Sequence, residues 1–352
     1  ADGSYSFDAS SYDSLKAGEE QVITIPVVVT DDQGATAETT LTITVTGTND
    51  APTATAATGS VTEDASITGS ISAEDVDLPA GASLTFSTTS TAAGLTLNAD
   101  GSYSFDASSY DSLKAGEEQV ITIPVVVTDD QGATAETTLT ITVTGTNDAP
   151  TATAATGSVT EDASITGSIS AEDVDLPAGA SLTFSTTSTA AGLTLNADGS
   201  YSFDASSYDS LKAGEEQVIT IPVVVTDDQG ATAETTLTIT VTGTNDAPTA
   251  TAATGSVTED ASITGSISAE DVDLPAGASL TFSTTSTAAG LTLNADGSYS
   301  FDASSYDSLK AGEEQVITIP VVVTDDQGAT AETTLTITVT GGGARTMRQQ
   351  RQ

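Results

Sequence analysis

The chain has no cysteine, no histidine and no tryptophan, and its 7 lysines plus arginines face 50 aspartates plus glutamates, a formal charge of −43 over 352 residues. Each scarcity removes a class of function. Without cysteine there is no disulfide and no thiol nucleophile. Without cysteine or histidine there is no zinc site of the common ligand types and no imidazole catalyst. So large a negative excess repels nucleic-acid phosphate and anionic lipid, which disfavours both as partners, and it attracts cations. No apolar run approaches the roughly 18–20 residues of a membrane-spanning helix, and no signal peptide opens the chain.

What is present repeats. Ala1-Asp2-Gly3-Ser4-Tyr5 returns at Ala99, Ala197 and Ala295, a period of 98, and the residues between return letter for letter. A period of this size marks tandem structural units. With Asn-Asp-Ala-Pro as the boundary, the chain reads as a truncated repeat 1–48, complete repeats 49–146, 147–244 and 245–341, and a non-repeat tail 342–352. Because the first residues match the middle of a repeat, the chain is expected to be part of a longer array. Each complete repeat carries one lysine against fourteen acids, the truncated repeat carries Lys16, and the remaining cations, Arg345, Arg348 and Arg351, are in the tail.

Within a repeat the apolar residues alternate, the two-residue period of half-buried strands. SITGSISA (66–73) puts Ile67, Gly69, Ile71 and Ala73 on one face, and TLTITVT (138–144) puts Leu139, Ile141 and Val143 on one face and threonines on the other. Further strands are predicted at 83–87, within 95–105 around the turn Asn98–Gly101, and at 120–127, where Pro124 demands an edge position or a bulge. One helical turn fits within 108–116. About seven strands in 98 residues predict an all-β immunoglobulin-like sandwich. Its predicted core is Val61, Ile67, Ile71, Leu84, Phe86, Leu95, Leu97, Tyr103, Phe105, Leu113, Ile121, Ile123, Val125, Leu139, Ile141 and Val143 with their copies. So modest a core benefits from an added staple.

Alternating strand direction sorts the acids by end. Where the chain enters the first complete sandwich lie Asn49 and Asp50 of the linker, Glu74, Asp75 and Asp77 of one turn, and Asp129 and Asp130 of another. Where it leaves lie Glu63, Asp64, Asp111 and Glu117. The next copies are Asn147, Asp148, Glu161, Asp162, Glu172, Asp173, Asp175, Asp209, Asp227 and Asp228, then Asn245, Asp246, Glu259, Asp260, Glu270, Asp271, Asp273, Asp325 and Asp326. Stacked head to tail, each junction gathers about ten carboxylates around an Asn-Asp linker. Ca2+ resolves the repulsion, since it takes about six to eight oxygen ligands from carboxylates, amides and carbonyls. An all-oxygen set disfavours zinc and copper, and Mg2+ prefers to keep its waters. The alternative is a solvated acidic surface that maintains solubility.

The strings DGSYSFD, YDSLKAGE and VVVTDDQGATAETTLTITVTGTNDAP resemble the VCBS or cadherin-like repeat of very large RTX-type bacterial adhesins exported by type I secretion. The likeness covers nearly all of residues 1–341, and tandem near-identity is similar, more narrowly, to extender regions of ice-binding adhesins. The resemblance implies an extracellular, bacterial cell-surface stalk: a monomeric elongated rod whose repeats are joined through Ca2+ and which projects adhesive domains lying outside this sequence. Asn49-Asp50-Ala51-Pro52, Asn147–Pro150 and Asn245–Pro248 are similar to the cadherin linker, and Asp75 with Asp77 to the cadherin Asp-x-Asp pair. The cadherin linker's further Asp and second Asn are missing, as are the glycine-rich nonapeptides of RTX secretion regions.

Two other functions compete. Paired carboxylates suffice for a glycosidase, but the same pairs recur on loops in every repeat without a His or Cys, and only the tail has Arg, so no enzyme is expected. The outward threonines Thr138, Thr140, Thr142 and Thr144 resemble an ice- or ligand-binding face, although β-branched Thr also simply suits the polar half of a strand.

Overall fold

The computed structural model describes residues 2–78, 83–176, 181–274 and 279–343; Pro79 and tail residues 344–352 lie outside the described residues. Two compact units are formed, Ala1–Pro150 with Glu172–Ser181 and Asp228–Ala231, and Thr151–Ala171 with Leu182–Asp227 and Thr232–Gln352. The first unit thus includes two loops of the second complete repeat.

In the first unit, residues 1–48 supply one hairpin, β1 (Glu20–Thr30) and β2 (Thr36–Thr46), in register from Glu20↔Thr46 to Thr30↔Thr36. The first complete repeat then adds β3 (Thr53–Ala54), β4 (Ala57–Thr62), β5 (Ser66–Ser70), β6 (Ala73–Glu74), β7 (Thr85–Ser87), β8 (Leu95–Leu97), β9 (Ser102–Asp106), β10 (Glu118–Thr128) and β11 (Thr134–Thr144). One sheet has the order β4-β11-β10-β7 and the other β5-β9-β8, while β3 pairs with β6. β4, near the start of the repeat, runs parallel to β11 at its end, from Ala57↔Leu139 to Thr62↔Thr144.

Alternation drives the packing. Ile123, Val125, Val127, Leu139, Ile141 and Val143 point between the sheets and are at most 1% exposed, each contributing about 1.5–3 kcal/mol of burial. Pro124 sits where β7 does not reach: β7 pairs with β10 only over Val126–Thr128, so one side of β10 is an edge and the missing N–H breaks no rung. Thr88 Oγ1 donates to the Pro124 carbonyl there at 2.6 Å. Gly69 lies under the Tyr103 ring, where a Cβ would come 2.5 Å from Oη.

The structure refines the predicted elements. The first two strands of the sandwich are each broken in two, so nine strands replace seven. Ala107 and Val127 join the core, whereas Ile67, Leu84, Leu95, Leu97 and Ile121 are half-buried against it. β8 and β9, of 3 and 5 residues, are shorter than the 11-residue β10 and β11, which leaves the margins of the sandwich partly uncovered. The helical turn is a 3-10 turn at Ala107–Tyr110, with the Tyr110 ring 5.7 Å from that of Phe105.

In the second unit, the repeats 147–243 and 245–341 reproduce the two sheets. Their parallel ladders run from Ala155↔Leu237 to Thr160↔Thr242 and from Ala253↔Leu335 to Thr258↔Thr340.

Candidate metal centre

The centre is assembled from turns that the local hydrogen bonding fixes. After β4, the Glu63 amide donates to Thr144 O at 3.1 Å and so extends the parallel ladder by a rung. The Glu63 side chain is 1% exposed. Its Oε1 accepts from Thr146 N–H at 2.6 Å and from Thr146 Oγ1 at 3.3 Å, while Oε2 is buried with no hydrogen-bond partner. Asp64 follows at φ 67°, a left-handed conformation that costs a non-glycine residue about 1–2 kcal/mol.

On the other sheet, Asp106 caps the 3-10 turn by accepting from Ser108 N–H at 3.0 Å. The chain then clamps the linker: Gly116 N–H donates to Gly145 O at 2.9 Å and Gly145 N–H to Glu117 O at 2.8 Å. A Cβ on Gly145 would overlap the carbonyl oxygens of Leu113 and Lys114. Glu117 is used locally, accepting from Lys114 N–H at 3.1 Å, whereas Asp111 keeps a buried Oδ1 without a partner.

The copy around the last linker shows how the following repeat contributes. Asp271 Oδ1 accepts from Asp273 N–H at 2.9 Å, and Asp273 Oδ2 accepts from Asp246 N–H at 2.8 Å. Asp271 Oδ2 and Asp273 Oδ1 stay buried without partners. Asn245 donates through Nδ2 to Asp246 O at 3.1 Å and to Asp325 Oδ2 at 2.8 Å. Both amide hydrogens are thereby used, and its carbonyl oxygen is the group left to meet a cation.

Glu161, Asp246 and Asp273 each bring one carboxylate oxygen within 4.8 Å of the other two, and Glu63, Asp148 and Asp175 do the same. Ionisation is correspondingly opposed. Burial, and then the charges of Asp162, Asp273, Glu161 and Asp209, push the Asp246 carboxyl above its ordinary range. Burial followed by Asp64, Asp175, Glu63 and Asp111 does so for Asp148. Burial also raises Asp273; the hydrogen bond from the Asp246 amide opposes this, and Asp271, Asp325 and Asp326 add to it. Asp129 and Asp325 behave oppositely. Burial works against their ionisation, but the Asn49 or Asn245 side chain and loop amides outweigh it and hold both below the ordinary range.

Buried carboxylate oxygens without donors are costly unless a cation joins them. The donor set is entirely oxygen, crowded and strongly negative, which fits a hard divalent cation. Of the predicted residues, the two triads are brought together, and Asp64, Asp111, Asp162, Asp209, Asp271, Asp325 and Asp326 are near enough to shift a member's ionisation. Asp75 and Asp173 keep a buried oxygen without a partner. Asp50 is exposed. Glu74, Glu172 and Glu270 are exposed at the ends of short strands, and Asp130 and Asp228 are exposed in their turns. Thr146 and Gly145 escaped the sequence reading, although both sit in the repeated phrase Gly-Thr-Asn-Asp-Ala-Pro.

No helix among the described residues is long and apolar enough to cross a membrane. No curated protein sequence matches the chain. Among solved structures, extracellular cadherin domains 1–5 of protocadherin gamma B2 are similar at 16% identity, covering 96% of this chain and 68% of that one, with a TM-score of 0.56. Domains EC22–24 of mouse cadherin-23 are 18% identical over 84% of this chain and 100% of that one, with a TM-score of 0.49. The first of these shows a shared fold. The family model described as bacterial cadherin-like domain matches residues 49–145, 147–243 and 245–341. The chain therefore belongs to the bacterial cadherin-like domain family, three times over.

Proposed function

We propose that the chain is a calcium-binding spacer from a large bacterial surface adhesin, which uses Ca2+ at its linkers to stiffen the array and hold adhesive domains away from the cell. The observation that carries the calcium reading is the twin triad, with buried, donor-less oxygens on Glu63, Asp148, Glu161, Asp246 and Asp273. Glu161, Asp246 and Asp273 would hold the ion, with Asp209, Asp271 and the Asn245 carbonyl completing an oxygen shell of the size calcium takes. Their counterparts at the preceding linker would do the same. Bound calcium would supply charge neutralisation and a crosslink; the chain's own part is to present ionised oxygens from both sides of these two linkers. Copying one stable unit extends reach, whereas a recognition surface gains from variation, and these units do not vary.

Differential scanning calorimetry and small-angle scattering with calcium and with chelator test this. Chelation should lower the melting temperature and shorten the maximum dimension; no change in either quantity would sink the proposal. The competing reading, ice or ligand binding, has one supporting feature, the outward row Thr122–Thr140–Thr58 across three strands. It stands only if the purified chain shows thermal hysteresis.

A further inference from the structure

We infer that the Lys114–Ala115 bond, with Lys212–Ala213 and Lys310–Ala311, is a latent cleavage site for trypsin-class endoproteases, shut by the linker glycine and opened when that glycine lets go. The inference does not rest on the calcium reading. A complete repeat has one lysine and no arginine, so a protease whose specificity pocket takes a basic side chain has one bond per repeat. That bond lies between β9 and β10, on the connection joining strands β3–β9 to the β10–β11 hairpin. Lys114 and Ala115 are exposed, the usual mark of a nicking site, yet what decides cleavage is the hydrogen bonding and burial of the backbone around the bond.

The protease must draw the segment out straight and bring the scissile carbonyl oxygen to its oxyanion-hole amides. Here the chain itself holds that oxygen. Lys114 O accepts from Glu117 N–H at 2.8 Å, closing a turn in which Gly116 has φ 78°, and Lys114 N–H donates to Glu117 Oε2 at 3.1 Å. The turn is tied to the linker, Gly116 N–H donating to Gly145 O and Gly145 N–H to Glu117 O. Gly145 lies so close over the bond that a Cβ there would overlap Lys114 O. On the preceding side, Leu113 is buried in the core. The other repeats keep the lock: Lys212 O accepts from Glu215 N–H at 2.8 Å against Gly243, and Lys310 O from Glu313 N–H at 2.7 Å against Gly341. Cleavage adds water across the bond, leaving a carboxylate on Lys114 and an amine on Ala115. The nicked repeat should stay assembled, because β4 still pairs with β11 over six positions and β7 with β10 over three. The bond thus reports on the linker: it opens as the turn releases Gly145, without the sandwich coming apart.

The test is limited trypsin digestion of the full chain in chelator, read as fragment masses under single-cut conditions after denaturation. Wild-type chain should be cut after Lys114, Lys212 and Lys310 at least about a hundredfold more slowly than the peptide of residues 110–118, since cleavage follows the population of the open form. Gly243→Ala should speed the cut after Lys212 at least about tenfold over the cut after Lys114 in the same molecule. Cleavage after the buried Phe203 by an aromatic-selective protease should stay as in wild type. Wild-type chain cut as fast as the peptide overturns the lock. So does a Gly243→Ala chain in which the Lys212 cut is unchanged, or in which the cuts after Lys212 and Phe203 speed up in step, because the site then opens only with the whole repeat. If Gly243→Ala does not fold, Glu215→Ala takes its place. From an exposed position it removes the acceptor of the Lys212 N–H; it should speed the Lys212 cut several-fold, and the same outcomes overturn the lock.

Discussion

Asp246 carries opposite obligations in the two states of the centre. Without metal it is a partly buried carboxyl among Asp162, Asp273, Glu161 and Asp209, and its proton is held more tightly in the folded chain than in the unfolded one. Stability from such a group is fully present below the ordinary aspartate value of 3.8 and is lost as pH rises through the raised folded value. Asp148 and Asp273 act in the same sense. Asp129 and Asp325 act in the other: their contribution is present above the ordinary value and disappears as pH falls through the lowered folded one. The metal-free chain should therefore be more resistant to urea at pH 5 than at pH 7, and calcium should reverse that order because ligation requires ionised oxygens. Denaturation midpoints at the two pH values, with and without calcium, check the sign. Asp246→Asn keeps the shape and removes a charge. It should raise the melting temperature in chelator yet weaken calcium binding by at least the about 10–100-fold that follows loss of an outer-shell partner, as titration calorimetry would read.

At the scale of elements, the Gly243 turn joins fold to site. A Cβ there would overlap the Lys212 and Leu211 carbonyl oxygens, and its amide and carbonyl tie the linker to the segment bearing Asp209. Gly243→Ala should cost about 1–3 kcal/mol by overpacking and also weaken calcium binding, although the residue offers no side-chain ligand; Phe203→Ala should cost about 3–5 kcal/mol and leave the affinity of the surviving folded fraction unchanged. Urea melts combined with calcium titration separate the two. β10 and β11 could be read in advance because one face of each is apolar and the other hydroxylated over 11 residues. The break between β3 and β4 could not: Ala54-Thr55-Ala56-Ala57 has no alternation, and the break reflects a change of partner from β6 to β11. The same limit governed the centre. Acidic turns were visible as acidic turns, yet Glu74 and Asp75 are adjacent letters, separated only by where β6 ends. Thr146 binds Glu63 partly through a backbone amide that any residue but proline would possess.

For the molecule as a whole, the repeats have one sequence but unequal surroundings. Repeat 147–243 contributes Asp148 and Asp175 to one triad and Glu161 to the next, whereas 49–145 and 245–341 each contribute to one. Calorimetry in calcium should resolve more than one transition, with the middle repeat melting last, and chelator should merge them. A single transition in both conditions would contradict this. Each triad takes its glutamate from one period and its aspartates from the next. Loss or gain of one whole 98-residue period by unequal recombination would rebuild the same triad at the seam. The gene can therefore change the length of its product by whole periods without selecting a new metal site.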